Sequence, residues 1–433
     1  MFRGLLCYIL KKLAQAVVDK YQPKIIGITG SVGKTTTKEA ILMVLAKKYR
    51  VRGNIKNYNN EIGLPLTILG LESPGRSLFG WLAVISAAIR LIYKNDPDYP
   101  EFVVLEMGVD HPGDMNYLLS IVQPIIGVAT AVGQAHLEFF GSQDKIAQEK
   151  GQLIASLPLG GYGILNADDQ RVMAMASKSK AKIITYGSGP QAEVRASDLS
   201  FNYERTNHPS AQNLSGLAFK LNYHGSVVPL VIPLIISEAA VSSILAAVAV
   251  GLSQELGLLD IADALSSFRV PKGRLNVLPG SRERVLLDDS YNASPTSVAA
   301  ALNILSRLPA DSASQRVAVL GDMLELGVDS PAEHRRLGQI IAQLSIGQLI
   351  LIGPLAELIG QEAKQQGWSG RIDNFLNAET AIKSIDELIP SAAVVLLKGS
   401  QGARIEKLTK ALLADQTQAA DYLVRQEGRW LDS

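Results

Sequence analysis

Two α/β domains are what the sequence predicts: a phosphate-loop central domain with a mainly parallel sheet, then a Rossmann-like α/β domain. Three observations carry this. Short apolar runs of strand length alternate with helix-period stretches along most of the chain, the pattern of parallel strands joined by crossover helices. A glycine-containing segment, TGSVGKTTTKEA, falls between the first strand and the first helix behind it. And 433 residues exceed what one hydrophobic core usually organises.

Met1–Tyr21 opens apolar, is interrupted by Lys11 and Lys12 and leads to no small-residue cleavage site. It therefore reads as an apolar, basic helix within residues 1–23 and not as a secretory signal. The central domain is placed at 24–270. Lys24–Ile28 reads as a buried strand, and the segment to Tyr49 as a helix with Ala40, Ile41, Val44 and Leu45 on one face. Ser77–Ile89 is thirteen residues without charge, closed by Arg90. That is short of the roughly 20 residues a bilayer crossing needs, so it reads as a buried or interfacial helix. Strand-like runs follow at Phe102–Leu105, Ile126–Val132, Tyr162–Leu165 and Lys182–Tyr186. Residues 195–235 shift to shorter alternating segments, an antiparallel addition, and Ser237–Leu258 is an alanine-rich helical stretch. Pro271-Lys272-Gly273 punctuates the chain, and the last domain is placed at 271–433. Its strands are read at Arg284–Leu287, Arg316–Leu320, Gln348–Ile352 and Val394–Leu397.

Composition narrows the function classes. Apolar residues make up 47% and charged residues 19%, which excludes a disordered chain. A net charge of +1 gives no global field for nucleic acid. The single cysteine, Cys7, excludes an internal disulfide framework or a multi-cysteine zinc site and fits a reducing, cytoplasmic setting. The even balance hides an asymmetry: residues 1–56 hold twelve Lys or Arg against Asp19 and Glu39. A basic lobe of this kind suits anionic ligands such as nucleotides, and it leaves peripheral contact with an anionic membrane surface open.

The most informative chemistry lies in the glycine segment. A strand–turn–helix there exposes successive backbone N–H groups with a helix N-terminus behind them, an anion cradle built from Thr29, Gly30, Ser31, Val32, Gly33, Lys34, Thr35 and Thr36. Gly30 and Gly33 permit close backbone approach, Lys34 reaches the terminal phosphates and Thr35 is suited to Mg²⁺. ATP with Mg²⁺ is the expectation, although Ile28 stands where the general phosphate-loop pattern has its first glycine. Glu106 ends one strand, and His136 follows another. Open parallel sheets bind their ligands at those strand ends, so each is a candidate metal ligand.

These segments resemble the Mur ligase family, ATP-dependent amide-bond-forming enzymes of cell-wall precursor synthesis. The likeness runs through TGSVGKTTTKEA, NYNNEIGLPLTIL (57–69), LEMGVDHPGDM (105–115), GQAHLEFFGS (133–142), DDSYNASPTS (288–297), VAVLGDMLELG (317–327) and VVLLKGSQGARIEKL (394–408). It is closest to the branch that adds D-alanyl-D-alanine to a UDP-muramoyl tripeptide. The TGxxGKTT loop is that family's version, which accounts for Ile28. The resemblance implies an acyl-phosphate mechanism, with Lys34, His136 and Lys150 as catalytic residues. It also implies Thr35, Glu106, His136 and a carbamylated Lys150 around two Mg²⁺ ions. By the same likeness Arg274, Asp289, Tyr291 and Asn292 contact the nucleotide, while Asn59, Asn60, Lys398, Ser400 and Arg404 lie toward the substrates. His334 matches a family position with no role derivable from sequence.

Two departures stand beside the likeness. The family's UDP-binding N-terminal domain is expected to be missing, since about 23 residues precede the first strand. A partner chain or the apolar segment 77–93 is then left to hold the UDP moiety. Ala239, Ala240 and Ser243 occupy places where the family has a His-Asn pair and a second Asn near the adenine. Two alternatives therefore remain: a ligase of the same chemistry acting on another carboxylate and amine, and a nucleotide-binding module without catalysis.

Overall fold

The computed structural model describes residues 2–54, 58–133, 137–204, 213–427 and 430. They form two compact units, one of residues 1–199, 219–230 and 238–268, the other of 200–218, 231–237 and 269–433.

The first unit is built on a sheet of β1 (Lys24–Thr29), β2 (Val51–Gly53), β3 (Phe102–Glu106), β4 (Ile126–Ala129), β5 (Tyr162–Asn166) and β6 (Lys182–Gly187), continued by β7 (Val194–Tyr203), β8 (Leu214–Tyr223) and β9 (Ser226–Pro233). Its order is β2-β3-β1-β4-β5-β6-β7-β8-β9, and the distal parts of β7–β9 are counted with the second unit. The pairs from β2 to β7 are parallel. β8 and β9 are joined by a two-residue turn, His224–Gly225, with both φ positive, the geometry that lets a hairpin keep its twist. The central strands are buried on both faces, as parallel strands covered by helices must be.

Strand order matters for the site because it reverses at β1: the chain runs from β1 out to β2 and back to β3 on one side, then crosses to β4 on the other. A crevice opens there at the C-terminal ends of the strands. Helices α1 (Phe2–Tyr21), α2 (Lys34–Leu45), α3 (Gly63–Leu69), α4 (Leu78–Tyr93), α5 (Asp114–Leu119), α6 (Gln143–Ala155) and α7 (Glu238–Ser253) belong to this unit. The core includes Leu10, Ala14 and Val17 of α1, Trp81 and Ala88 of α4, and Val103 and Leu105 of β3. The N-terminal helix is thus part of the packed unit.

The second unit has a six-stranded sheet of β10 (Asn276–Pro279), β11 (Val285–Asp289), β12 (Arg316–Gly321), β13 (Gln348–Ile352), β14 (Arg371–Phe375) and β15 (Val394–Lys398). The order is β10-β11-β15-β12-β13-β14, parallel except for β10, which is an antiparallel edge. Helices α8 (Pro295–Arg307), α9 (Ser330–Ile341) and α10 (Glu406–Leu412) lie among its covering elements. α8 starts with a capping box at Ser294 and Ser297 and a proline in its first turn, so its N-terminal N–H groups are satisfied locally.

Candidate active site

The phosphate loop is held open by contacts that leave no room for side chains. Gly30 has φ +148°, and a Cβ there would sit 1.9 Å from Thr130 Oγ1. Gly33, with φ +85°, caps α2 in the left-handed region. Thr130 pins the turn: its Oγ1 donates to Val32 O at 2.6 Å, and its N–H bonds Thr29 O at 3.0 Å. Ser31 N–H reaches Ala131 O at 2.7 Å. These bonds explain why β4 stops at Ala129 and not at Val132. Thr130 and Ala131 spend their backbone groups on the loop.

Two lysines converge on one carbonyl. Lys34 Nζ donates to Gly30 O at 2.6 Å and Lys150 Nζ at 3.3 Å. Lys150 projects from the buried face of α6 and is 3% exposed. Burial, with the neighbouring Lys34 charge, pushes its amine down to about 7. The residue before it, Glu149, accepts from Gly113 and Met115 N–H at 3.0 Å each and so ties α6 to the loop after β3.

Glu106 ends β3 in register with Ile28 of β1, at the mouth of the phosphate loop. Thr35 Oγ1 donates to Glu106 Oε2 at 3.1 Å. Glu106 Oε1 is buried with no hydrogen-bond partner, and Lys38 Nζ lies 3.6 Å from it. Ser31 Oγ is likewise buried and without one. A carboxylate oxygen and a threonine hydroxyl facing a phosphate cradle fit a Mg²⁺ ion, which is bound through few protein oxygens plus phosphate oxygens. The Gly30–Gly33 turn fits the phosphates of a nucleotide. Among the described residues no cluster of three or more His, Cys, Asp or Glu stands ready to hold a metal. His136 lies outside the described residues.

Lys38 and Asn54 escaped the sequence reading. Lys38 is 2% exposed; it donates to Asn54 O at 2.7 Å and pairs with Glu39 at 2.8 Å. Asn54 Oδ1 accepts from Glu106 N–H at 2.6 Å, and its amide donates to Tyr58 O. Together they fix the Glu106 backbone. The available signal was a lysine on the buried side of α2, beside Thr37, Ala40 and Ile41. Asn59 meets this region through its carbonyl, which accepts from Gly108 N–H at 2.9 Å. The Asn60 side chain instead caps the start of α3, accepting from Gly63 N–H at 3.0 Å. Ala240 is buried, and Ser243 Oγ bonds Gly33 O at 3.5 Å and Ala239 O at 3.2 Å.

In the second unit, the predicted residues gather at the ends of β11 and β15. Asp289 and Lys398 are register partners joined at 2.6 Å, and Lys398 also donates to Asn292 O at 2.9 Å. The Arg274 guanidinium stacks 4.0 Å from the Tyr291 ring centre. Asn292 Oδ1 accepts from Ala293 N–H, and its side chain is exposed. Ser400 Oγ accepts from Leu324 N–H at 2.9 Å. Lys398 and Ser400 are buried, and these bonds hold the turn. Arg404 has φ +55° and pairs with buried Glu406 at 2.6 Å. Arg425 was missed: it pairs with Glu406 at 3.0 Å and donates to the Ser290 and Tyr291 carbonyls at 3.1 and 2.5 Å. His334 is fully buried; its Nε2 accepts from Met323 N–H at 3.0 Å, leaving Nδ1–H to face Ser330 O at 2.6 Å. It fastens the loop after β12.

Comparison with known proteins adds to this geometry. The profile of the Mur ligase middle domain matches residues 28–79 and 86–250, and that of the Mur ligase glutamate ligase domain matches 273–401. The chain is similar to UDP-N-acetylmuramoyl-tripeptide–D-alanyl-D-alanine ligase of Bacillus subtilis, 29% identical over 93% of this chain and 79% of that one. The enzyme of the same name from Mycobacterium tuberculosis strain H37Rv is 30% identical, over 94% of this chain and 77% of its own. Among solved structures, MurF from Acinetobacter baumannii superposes with a TM-score of 0.75 at 26% identity, covering 92% of this chain and 79% of that one. The Thermotoga maritima MurF ligase in complex with ADP gives 0.75 at 25%, covering 96% and 84%.

Proposed function

This chain belongs to the Mur ligase family, and on that premise we propose that it joins D-alanyl-D-alanine to a UDP-N-acetylmuramoyl tripeptide in peptidoglycan precursor synthesis. It is an ATP-dependent ligase that forms a C–N bond and releases ADP and phosphate. The observation that carries the reading is the site around Gly30. A phosphate turn there lies against a carboxylate–hydroxyl pair, Glu106 with Thr35, and two lysines converge on one carbonyl.

Lys34 and the amides of the Gly30–Gly33 turn hold the β- and γ-phosphates and neutralise charge as the γ-phosphoryl moves to the tripeptide carboxylate. The P–O bond to ADP breaks as the bond to the carboxylate oxygen forms, giving an acyl phosphate. The D-alanyl-D-alanine amine then attacks the acyl carbon, loses a proton, and phosphate leaves from the tetrahedral intermediate. Mg²⁺, when bound, screens the phosphate charge and orients the transferred group. Thr35 and Glu106 would hold one ion, and His136 with Lys150 a second.

Lys150 serves in this reading as a carbamate. The ammonium first gives up a proton, and the free amine then adds to carbon dioxide with loss of a second, so a buried cation becomes an anion able to bind Mg²⁺. Only the unprotonated amine is nucleophilic toward carbon dioxide, and an amine pushed down to about 7 supplies that form near neutrality. Arg274, Asp289, Tyr291 and Asn292 are assigned to the nucleotide. Asn59 and Asn60 support the loops around the carboxylate substrate, and Lys398, Ser400 and Arg404 the turn that meets the acceptor. The reaction is assigned to the cytoplasm, where ATP is supplied.

A second reading keeps the chemistry but changes the carboxylate substrate. It is favoured by α1 and residues 80–85, which lie outside the matched family segments, and by Ala240 and Ser243 beside the loop. One assay separates the readings: ADP and phosphate release with ATP and Mg²⁺, omitting UDP-muramoyl tripeptide and D-alanyl-D-alanine in turn. Release that needs both supports the proposal. Release that needs D-alanyl-D-alanine and a different carboxylate supports the second reading. No release with any pair, despite ATP binding, contradicts both.

A further inference from the structure

One surface of the first unit carries chemistry that the ligation does not use. Helices α1 and α4 pack together, and their outer sides are apolar. On α4, Leu78, Leu82, Ile85, Ile89 and Tyr93 recur every three or four residues beside the buried stripe of Trp81, Val84 and Ala88. Leu78 and Leu82 are each 62% exposed and Phe79 is 85% exposed. On α1, Leu5 and Tyr8 are exposed toward solvent in the same manner. Between the helices runs a groove of about 240 Å³ lined only by apolar side chains, among them Leu5, Ile9, Leu78, Leu82 and Ile85. An apolar face of this extent on a folded unit marks an interaction site.

The charges around this face have one predominant sign. α4 contains no acid, and Asp19 is the single acid of α1. Lys12, Arg76, Arg90 and Lys94 are exposed at its rim, with Lys12 Nζ 5.9 Å from the Tyr8 ring centre. Glu61 is paired with Arg3 at 2.6 Å, and Glu72, Asp96 and Asp98 lie beyond the ends of α4. Residues 80–85 and all of α1, which supply Leu5, Tyr8, Leu82 and Ile85 of this face, fall outside the matched family segments. Among the described residues no helix is long and apolar enough to cross a membrane. An in-plane apolar face with a basic rim is the form that lies in a membrane interface.

We propose that the α1–α4 face docks the enzyme on an anionic lipid bilayer. The Leu78–Tyr93 stripe, with Leu5 and Phe79, enters the boundary between headgroups and acyl chains. Lys12, Arg76, Arg90 and Lys94 meet the lipid phosphates, their stems lying along the apolar surface. Symmetric pairing of two copies through this face would set basic rim against basic rim, which charge disfavours.

The test is co-sedimentation of the full chain with vesicles of phosphatidylcholine, alone or mixed equally with phosphatidylglycerol, at low and high salt. The proposal expects binding to the mixed vesicles, weakened by salt. Arg90→Glu or Lys12→Glu should lower the partition coefficient about fivefold or more, as expected for one basic side chain near an anionic surface. The double variant Phe79→Glu/Leu82→Glu should abolish binding while its circular dichroism and melting temperature match wild type, both residues being exposed. Absence of sedimentation with anionic vesicles overturns the proposal, as does undiminished sedimentation of the double variant. So does a wild-type dimer that the double variant converts to monomer.

Discussion

Gly30 is the residue on which the phosphate loop depends most sharply. Its φ of +148° is rarely adopted by L side chains, and a Cβ would collide with Thr130 Oγ1. Gly30→Ala should therefore cost on the order of 1–3 kcal/mol of local strain. It should weaken ATP binding at least about tenfold by calorimetry, and unchanged affinity would contradict the cradle. Lys150 makes a prediction about activity and another about pH. Lys150→Ala should cut turnover by about 10²-fold or more, a size typical of losing one positioned charge, and added acetate or formate should partly restore it. Full activity in that variant would refute the carbamate. The folded amine is unprotonated above about pH 7, against 10.5 for the free group. The unfolded chain thus binds one more proton across that window, and stability should rise with pH through it. In carbon-dioxide-free buffer, urea midpoints should show that rise for wild type and a flatter profile for Lys150→Met. The loop and Lys34 were legible in the sequence because their chemistry is local. Lys38, Asn54 and Arg425 were not, because each acts on a segment distant in sequence, as Lys38 does on Asn54 O.

The strands of the two sheets were largely readable because buried parallel strands are short unbroken apolar runs, such as Gln348–Ile352. The edges were harder. β14, with sequence RIDNF, is half exposed and carries three polar residues, so its apolar signal is weak. β10 is four residues ending in proline. The alanine-rich stretch ends as a helix at Ser253, where Leu256 N–H turns back to Gly251 O, and a new helix begins at Leu258. One strand also holds a buried charge no pattern announced. Asp288 of β11 is fully buried, accepts from Thr409 Oγ1 at 2.9 Å, and is pushed up to about 7 by that burial. Between its ordinary 3.8 and about 7 the folded chain holds the extra proton, so stability should fall as pH rises through that window. Asp288→Asn keeps the acceptor for Thr409 and should flatten that fall in denaturant titrations. An unchanged slope would mean the carboxyl is already ionised at acid pH.

The sequence reading set a boundary at the Pro271 break, and the chain's main passage from one compact unit to the other lies between Phe268 and Arg269. What no periodicity disclosed is that residues 200–218 and 231–237 belong to the second unit. Leu214 and Ile236 from these segments are buried in its core with Leu275, Val285 and Leu287. A fragment starting at residue 269 should therefore expose apolar surface and bind a hydrophobic dye more than the intact chain. A fragment that stays as dye-silent as the intact protein would show those segments to be dispensable. The central claim, a ligase acting through an acyl phosphate, is tested most directly with UDP-muramoyl tripeptide labelled with ¹⁸O in its acceptor carboxylate. Mass spectrometry after reaction with ATP, Mg²⁺ and D-alanyl-D-alanine should find one ¹⁸O in each phosphate released, together with the amide-linked pentapeptide. Pentapeptide formed with unlabelled phosphate, or phosphate released without pentapeptide, would contradict it.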